Sequence, residues 1–314
     1  MAISGAIGGL IGYGFLNMNG IAGLSAWRWY MLILGIITSA LGIVVFIFLP
    51  DRADSRWFRL TSIEKDIIHE RIQDSAMVQR NSINIEHILE SVKEPRLYCY
   101  ILVSLLMNLV NGAMGIYSTL IIKSLGHFSE GQSILLNIPA SVIAVILISS
   151  AAYVSKRLNE YSYVAILGCI LTTLGFIFLI VVPEGAGILA GIFLAIVGPQ
   201  YTVYLSLASI NIAGYTKKTF YISITTVTYC VGNITGPLLI RQEFAPRYIP
   251  AMSVMIAGMI LSSFLFYYMR WSFIRENQYR QQLMASNKLP PEPPKDVKET
   301  DLTDKTNLYF IYHI

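Results

Sequence analysis

Seven side chains stand out because each is a neutral hydrogen-bonding group set in a long apolar run: Asn108, Asn111, Tyr117, Asn137, Gln200, Tyr204 and Asn233. Burying an amide or a phenol away from water is costly unless it finds a partner. Two kinds of chemistry are therefore open to them. They can bond one helix to another, or they can line a path and stand in for the hydration of a polar solute. Asn108 and Asn111 are three residues apart and share one helix face. Asn137 precedes Ile138-Pro139, Gln200 follows Gly198-Pro199, and Asn233 follows Gly232 and precedes Gly236-Pro237. Each amide thus sits beside residues that interrupt a regular helix, an arrangement tolerated in a membrane only where protein or a cavity faces it. None of the seven ionises near neutral pH, so a proton relay would need groups at the edges of the runs, such as Arg28, Glu184 or Glu243.

Other chemistries find no constellation. The chain has no HExxH, CxxC, GxSxG or GxxxxGK[ST] pattern and no paired carboxylates inside the runs, which argues against an enzyme and against a bound cofactor. Cys99, Cys169 and Cys230 all fall within apolar runs and do not read as a disulfide framework. His69 and His87 lack the close spacing of a metal pair and are expected to be solvated, so no metal site is expected. No basic, aromatic-interleaved patch suggests nucleic acid, and no obligate protein partner is indicated.

The elements that must position the seven residues follow from the charges. The chain is 54% hydrophobic and only 13% charged, with mean hydropathy +0.57, against about a quarter charged residues in soluble domains. Asp, Glu, Lys and Arg leave eight long gaps at 1–27, 29–50, 97–122, 131–155, 161–183, 185–216, 219–240 and 248–269. Each exceeds the roughly 20 residues needed to cross about 30 Å of hydrocarbon as a helix. The expected fold is therefore an all-α polytopic membrane protein with about eight transmembrane helices. Assigned to alternate sides, 19 of the 23 Lys and Arg fall on one face. The positive-inside rule makes that face, and with it both termini, cytoplasmic.

Local signals mark the ends. Gly5, Gly8, Gly9 and Gly12 form a small-residue face that suits a close helix neighbour, and Trp27-Arg28-Trp29 is an interfacial anchor. Thr61 and Glu64 form a capping box before Ile63, Ile67, Ile68 and Ile72, which predicts an amphipathic surface helix. A second short helix is expected from Asn84 to Val92, ending before Pro95. Lys217-Lys218 and Arg241 to Arg247 bracket the run 219–240. Beyond Arg270 the chain turns polar and Pro-rich at Lys288 to Lys298, the composition of a disordered tail, although the closing Tyr309-Phe310-Ile311-Tyr312 is unusual for one. The uncharged start, with only Arg28 beside the first hairpin, is unusual for a first membrane segment.

Several ordered motifs carry a family resemblance: WRW at 27–29 after Gly20 and Gly23, Leu49-Pro50-Asp51 followed by Leu60-Thr61 and Glu64, NIAGYTKK at 211–218, GNITGP at 232–237, APRYIP at 245–250 and DLTDKTN at 301–307. Together they resemble the fungal allantoate permease group, in the anion:cation symporter branch of the major facilitator superfamily. The resemblance implies a twelve-helix carrier of two six-helix halves that moves a small organic anion, a vitamin or a nitrogen or sulfur compound, usually with a proton, in the plasma membrane. On that plan the eight spans correspond to helices five to twelve. Residues 1–50 would hold the last two helices of the first half, 51–96 the cytoplasmic link, 97–270 the complete second half and 271–314 a disordered cytoplasmic tail. Ser155-Lys156-Arg157 stands where the family carries an Asp-Arg gating pair, and Ile311 where it carries Arg. The seven polar residues become substrate-path candidates. The alternative to an active carrier is a transport-dead remnant of one.

Overall fold

A computed structural model describes residues 2–50, 61–65, 67–68, 83–126, 128–182, 187–195, 198–245, 247–286 and 302–314. Among them every regular element is a helix: α1 (Ala2–Leu16), α2 (Ala26–Phe48), α3 (Ile85–Lys93), α4 (Pro95–Gly126), α5 (Glu130–Leu135), α6 (Asn137–Leu158), α7 (Tyr161–Val181), α8 (Ile188–Leu194), α9 (Gly198–Asn211), α10 (Tyr215–Leu238) and α11 (Ile249–Ala285), with two short 3₁₀ turns.

The eight expected crossings appear in order, and six are long and apolar enough to span a membrane. The two that fall short do so for different reasons. α1 has only 15 residues, and α10, at 24 residues, carries Lys217, Lys218, six threonines and Asn233. Two expected crossings are broken in two. Ser129 opens α5 with a reciprocal capping box to Gln132 before the chain continues into α6, and α8 ends at Leu194 before Gly198-Pro199 opens α9.

The core lies within α4 to α11. α10 packs along α4, α11 along α7, and α9 between α6 and α7. α2 has no buried residue. α1 leans on α5 and α6, but its glycine face is only partly used: a Cβ on Gly9 would lie 3.4 Å from Ile138 Cγ1, whereas one on Gly8 or Gly12 would meet nothing within 4 Å. The side chain position of Gly5 is outside the described set, as are His69, Ile72 and Glu184. The Thr61–Glu64 capping box forms as expected, with Thr61 N donating to Glu64 Oε2 at 2.9 Å and Glu64 N to Thr61 Oγ1 at 3.4 Å. α3 is the expected second loop helix, capped by Asn84, whose Oδ1 accepts from Glu86 N.

The expectation of a disordered tail is corrected at 271–285 and 302–314. α11 runs 37 residues to Ala285, about 55 Å at 1.5 Å per residue and well past the hydrocarbon thickness. Residues 302–314 then return as a strap against the same end of the bundle. Tyr312 exchanges two bonds with Asn277, its N donating to Oδ1 at 2.9 Å and its O accepting from Nδ2 at 2.8 Å. His313 does the same with Asn211 at 2.7 and 2.9 Å, and Tyr161 N donates to Ile314 O at 2.6 Å. The proline-rich, charged stretch at 288–298 points to disorder; the order of 302–314 comes from the amides of Asn277 and Asn211, which satisfy its backbone.

Candidate functional site

The seam between α4 and α10 is built on glycine. A Cβ on Gly112 would lie 2.6 Å from Asn233 Cα, one on Gly232 would lie 2.7 Å from Leu105 O, and one on Gly236 would overlap Leu109 O. Backbones this close bring the amides of the two helices together. Asn111 Nδ2 donates to Asn233 Oδ1 at 3.1 Å, and Asn233 Nδ2 donates to Asn108 Oδ1 at 3.3 Å and to Tyr229 O at 2.9 Å. Asn108 Nδ2 donates to Ser104 O at 2.7 Å, and Ser104 Oγ donates to Thr225 O at 3.0 Å. Asn108 is buried, while Asn111 and Asn233 are half-buried at the edge of the seam.

A ladder of phenols continues from this cluster through α4, α9 and α10. Tyr229 lies 6.1 Å from Tyr201, Tyr201 stacks on Tyr204 at 5.6 Å, Tyr204 lies 5.7 Å from Tyr100, and Tyr100 lies 5.8 Å edge-on from Tyr221. Tyr204 Oη donates to Tyr100 O at 3.0 Å. Tyr100 Oη is buried without a hydrogen-bond partner among the described residues. The run of α10 facing outward from this seam includes Ser223, Thr226 and Cys230, all exposed.

The other three path candidates lie apart. Gln200 points from α9 at α7, where its Nε2 donates to Thr172 Oγ1 at 2.9 Å and its Oε1 has no partner among the described residues. Asn137 ties α6 to α4, donating to Thr119 Oγ1 at 3.0 Å and accepting from Ser118 Oγ at 3.2 Å. Tyr117 is half-buried against the core.

At one end of the bundle the structure holds a charged network that the sequence reading did not anticipate. Lys217 is 1% exposed and its Nζ meets Glu94 Oε1 at 2.6 Å, Glu90 Oε1 at 2.9 Å and Asp304 Oδ1 at 3.0 Å. In the sequence it stands beside Lys218 as one of two cations that bracket the run 219–240. Tyr221 Oη donates to Glu94 Oε2 at 2.8 Å, Thr303 Oγ1 to Glu90 Oε1 at 2.9 Å and Tyr312 Oη to Asp304 Oδ2 at 2.7 Å. Arg280, equally buried, donates to Asp304 O at 2.9 Å and to Phe310 O at 2.5 Å. The network joins α3 and its C-cap Glu94, α10, α11 and the strap. Its one advance signal was the aromatic run after DLTD.

Burial by itself would lower the Lys217 amine, but Asp304 and Glu94 outweigh it and hold the amine above the ordinary lysine range. A raised folded-state value means that the stabilisation is complete below the unfolded lysine value of about 10.4 and is lost only as pH rises beyond it. Lys217 therefore stays charged throughout the neutral range.

The same end carries a bidentate pair between Arg270 and Glu160, with Arg270 Nη2 donating to Oε1 at 3.1 Å and the guanidinium 4.0 Å over the Tyr163 ring. Lys156 and Arg157 are exposed. His87, expected in solvent, is half-buried beside Gly214 under the turn between α9 and α10. Among the described edge groups, Arg28 stacks on Trp27 at 5.4 Å and Glu243 is exposed.

Residues 1–237 match the family described as the Major Facilitator Superfamily. The chain is 31% identical to an uncharacterized transporter of Schizosaccharomyces pombe over 99% of its own length and 63% of that protein's. It is 28% identical to the thiamine pathway transporter THI73 of Saccharomyces cerevisiae over 98% of its length and 58% of the relative's. It is 26% identical to the allantoate permease of Saccharomyces cerevisiae, over 97% and 60%. The chain thus spans about three fifths of these relatives. An all-helical bundle of membrane-spanning helices whose sequence matches over residues 1–237 is an integral membrane protein, and the chain belongs to the major facilitator superfamily.

Proposed function

We propose that the chain forms the cavity-lining part of a secondary carrier of the allantoate permease type, in the anion:cation symporter branch, which moves a small organic anion by alternating access together with a proton. The eight spans then correspond to helices five to twelve of a twelve-helix plan, with 51–96 as the link between halves, 97–270 as the second half, and the basic end and both termini in the cytoplasm of a plasma-membrane protein. The observation that carries this reading is the join of the Asn108–Asn111–Asn233 cluster to the phenol ladder.

The chemistry suits the task. Half-buried carboxamide N–H groups can be turned toward a carboxylate or heterocycle entering beside α10, and phenol faces can stack on a planar solute. All of these groups are neutral, so a bound anion would be held without a permanent counter-ion and could leave again. Asn137, Gln200 and Tyr117 remain path candidates in this proposal, and the bonds that Asn137 and Gln200 make to neighbouring helices fit the packing role equally well. The names of the relatives support transport, and two of them point to allantoate and to thiamine-pathway compounds as first candidates.

Uptake of a panel of such compounds by cells expressing the chain tests the proposal. Uptake above vector control is expected, and Asn233→Ala, at unchanged surface level, should reduce it about tenfold or more, the loss expected for a hydrogen bond to a charged group. No uptake across the panel would contradict it for this chain.

A further inference from the structure

Where α4 enters the bundle and α11 leaves it, an open cavity of about 410 Å³ is lined by Arg96, Tyr268, Trp271, Arg275, Glu276 and Tyr279, with Ser272 at its floor. We propose that this cavity binds the phosphate headgroup of an anionic phospholipid of the leaflet at the basic end. That the leaflet is the cytoplasmic one rests on the orientation proposed above.

Position is the first argument. Arg96 is the second residue of α4, and Trp271 follows Arg270, so the cavity lies at the level where both helices cross from apolar to polar sequence. Tyr267, Tyr268 and Trp271 are exposed there, as aromatic side chains are at a membrane interface. A groove open sideways at that depth is reached by a lipid headgroup before any soluble ligand.

Charge is the second. Neither Arg96 nor Arg275 forms an ion pair among the described residues, whereas the carboxylate in the cavity is already engaged: Glu276 Oε1 accepts from Arg280 Nε at 3.1 Å. The free charge of the cavity is therefore positive. Arg96 is held in place, its Nε donating to Ser272 Oγ at 2.9 Å and its Nη2 to Ser272 O at 3.3 Å, with its plane 4.9 Å from the Phe273 ring and 4.5 Å from the Tyr312 ring. Those two bonds leave spare guanidinium N–H donors in a fixed fork, which suits a phosphate. Arg275 sits 5.4 Å over Trp271 and is exposed. A phosphate between them would have one rigid and one adaptable cation, with aromatic rings beside the glycerol and upper acyl chains. Because Arg96 also stacks on Tyr312, an occupied cavity would favour the docked strap.

The test is thermal unfolding of the purified full chain in neutral detergent, titrated in parallel with phosphatidylserine, phosphatidylcholine and inorganic phosphate. Phosphatidylserine is expected to raise the midpoint while the other two leave it in place. Arg275→Gln should lose most of that shift, and Arg241→Gln, an exposed cation at the opposite end, should keep it. Arg275 is exposed, so its loss should not impair folding. As a second readout, brominated phosphatidylserine should quench Trp271 fluorescence more than brominated phosphatidylcholine, taken as the difference from Trp271→Phe. An equal shift with phosphatidylcholine, an equal shift with inorganic phosphate, or a full shift in Arg275→Gln would each overturn the proposal. Uptake need not be measured, so failure here leaves the transport reading to its own test.

Discussion

Gly232→Leu should destabilise the protein by at least about 3 kcal/mol, near the upper end of what overpacking a tight interface costs. The cause is backbone meeting backbone. Even a single Cβ at Gly232 would lie 2.7 Å from Leu105 O, 2.8 Å from Asn108 Cβ and 2.9 Å from Leu109 N, so no rotamer of a larger side chain relieves the clash. α10 would have to move off α4, and the Asn108–Asn111–Asn233 bonds at 3.1 and 3.3 Å would part with it. A large loss of thermal midpoint in detergent, with poor surface expression, is the expected readout. Gly115→Leu, on the facing helix α4, serves as control, because a Cβ there would meet nothing within 4 Å. Equal behaviour of the two variants would refute the packing account of this seam.

Lys217→Met should be nearly as damaging, for an electrostatic reason. It leaves Glu90, Glu94 and Asp304 converging on one buried point, at 17%, 12% and 4% exposure, without the cation that holds them. Removing one partner of a buried ion pair costs about 3–5 kcal/mol, mostly through the charges left behind. The strap should detach first, since Asp304 is its link to Lys217, and amide exchange of Tyr312 and His313 should rise sharply. Adding Glu94→Gln and Asp304→Asn to Lys217→Met should recover part of the loss. If Lys217→Met leaves both midpoint and exchange unaltered, the network does not hold the strap.

The spans were legible because a membrane segment is defined by a lack of charge, which the sequence displays directly. The loop helices were legible because Asn84 and the Thr61–Glu64 box act locally. The α4–α10 seam was half legible. Asn108 and Asn111 at spacing three, and Gly232, Asn233 and Gly236 within one turn and a half, marked two sticky faces, but only the fold shows that they face each other. The burial of Lys217 was not legible because a cation at the end of a charge-free run ordinarily marks the membrane surface. What buries it are Glu90, Glu94 and Asp304, the nearest of them 87 residues away along the chain. The strap was hidden by averaging, since the proline-rich composition around 288–298 dominates a segment whose last residues dock by specific amide pairs.

The central claim is that α10 faces a water-filled path, and a native thiol reports on it. Cys230 is exposed on α10, next to Tyr229 and three residues from Asn233, whereas Cys99 and Cys169 are buried. In membranes carrying the unmodified chain, a membrane-impermeant charged thiol reagent should label Cys230, leave Cys99 and Cys169 unlabelled, and be slowed by a transported anion. Labelling of Cys230 only after the membrane is dissolved by denaturing detergent would mean that this face of α10 lies against lipid, and would contradict the account.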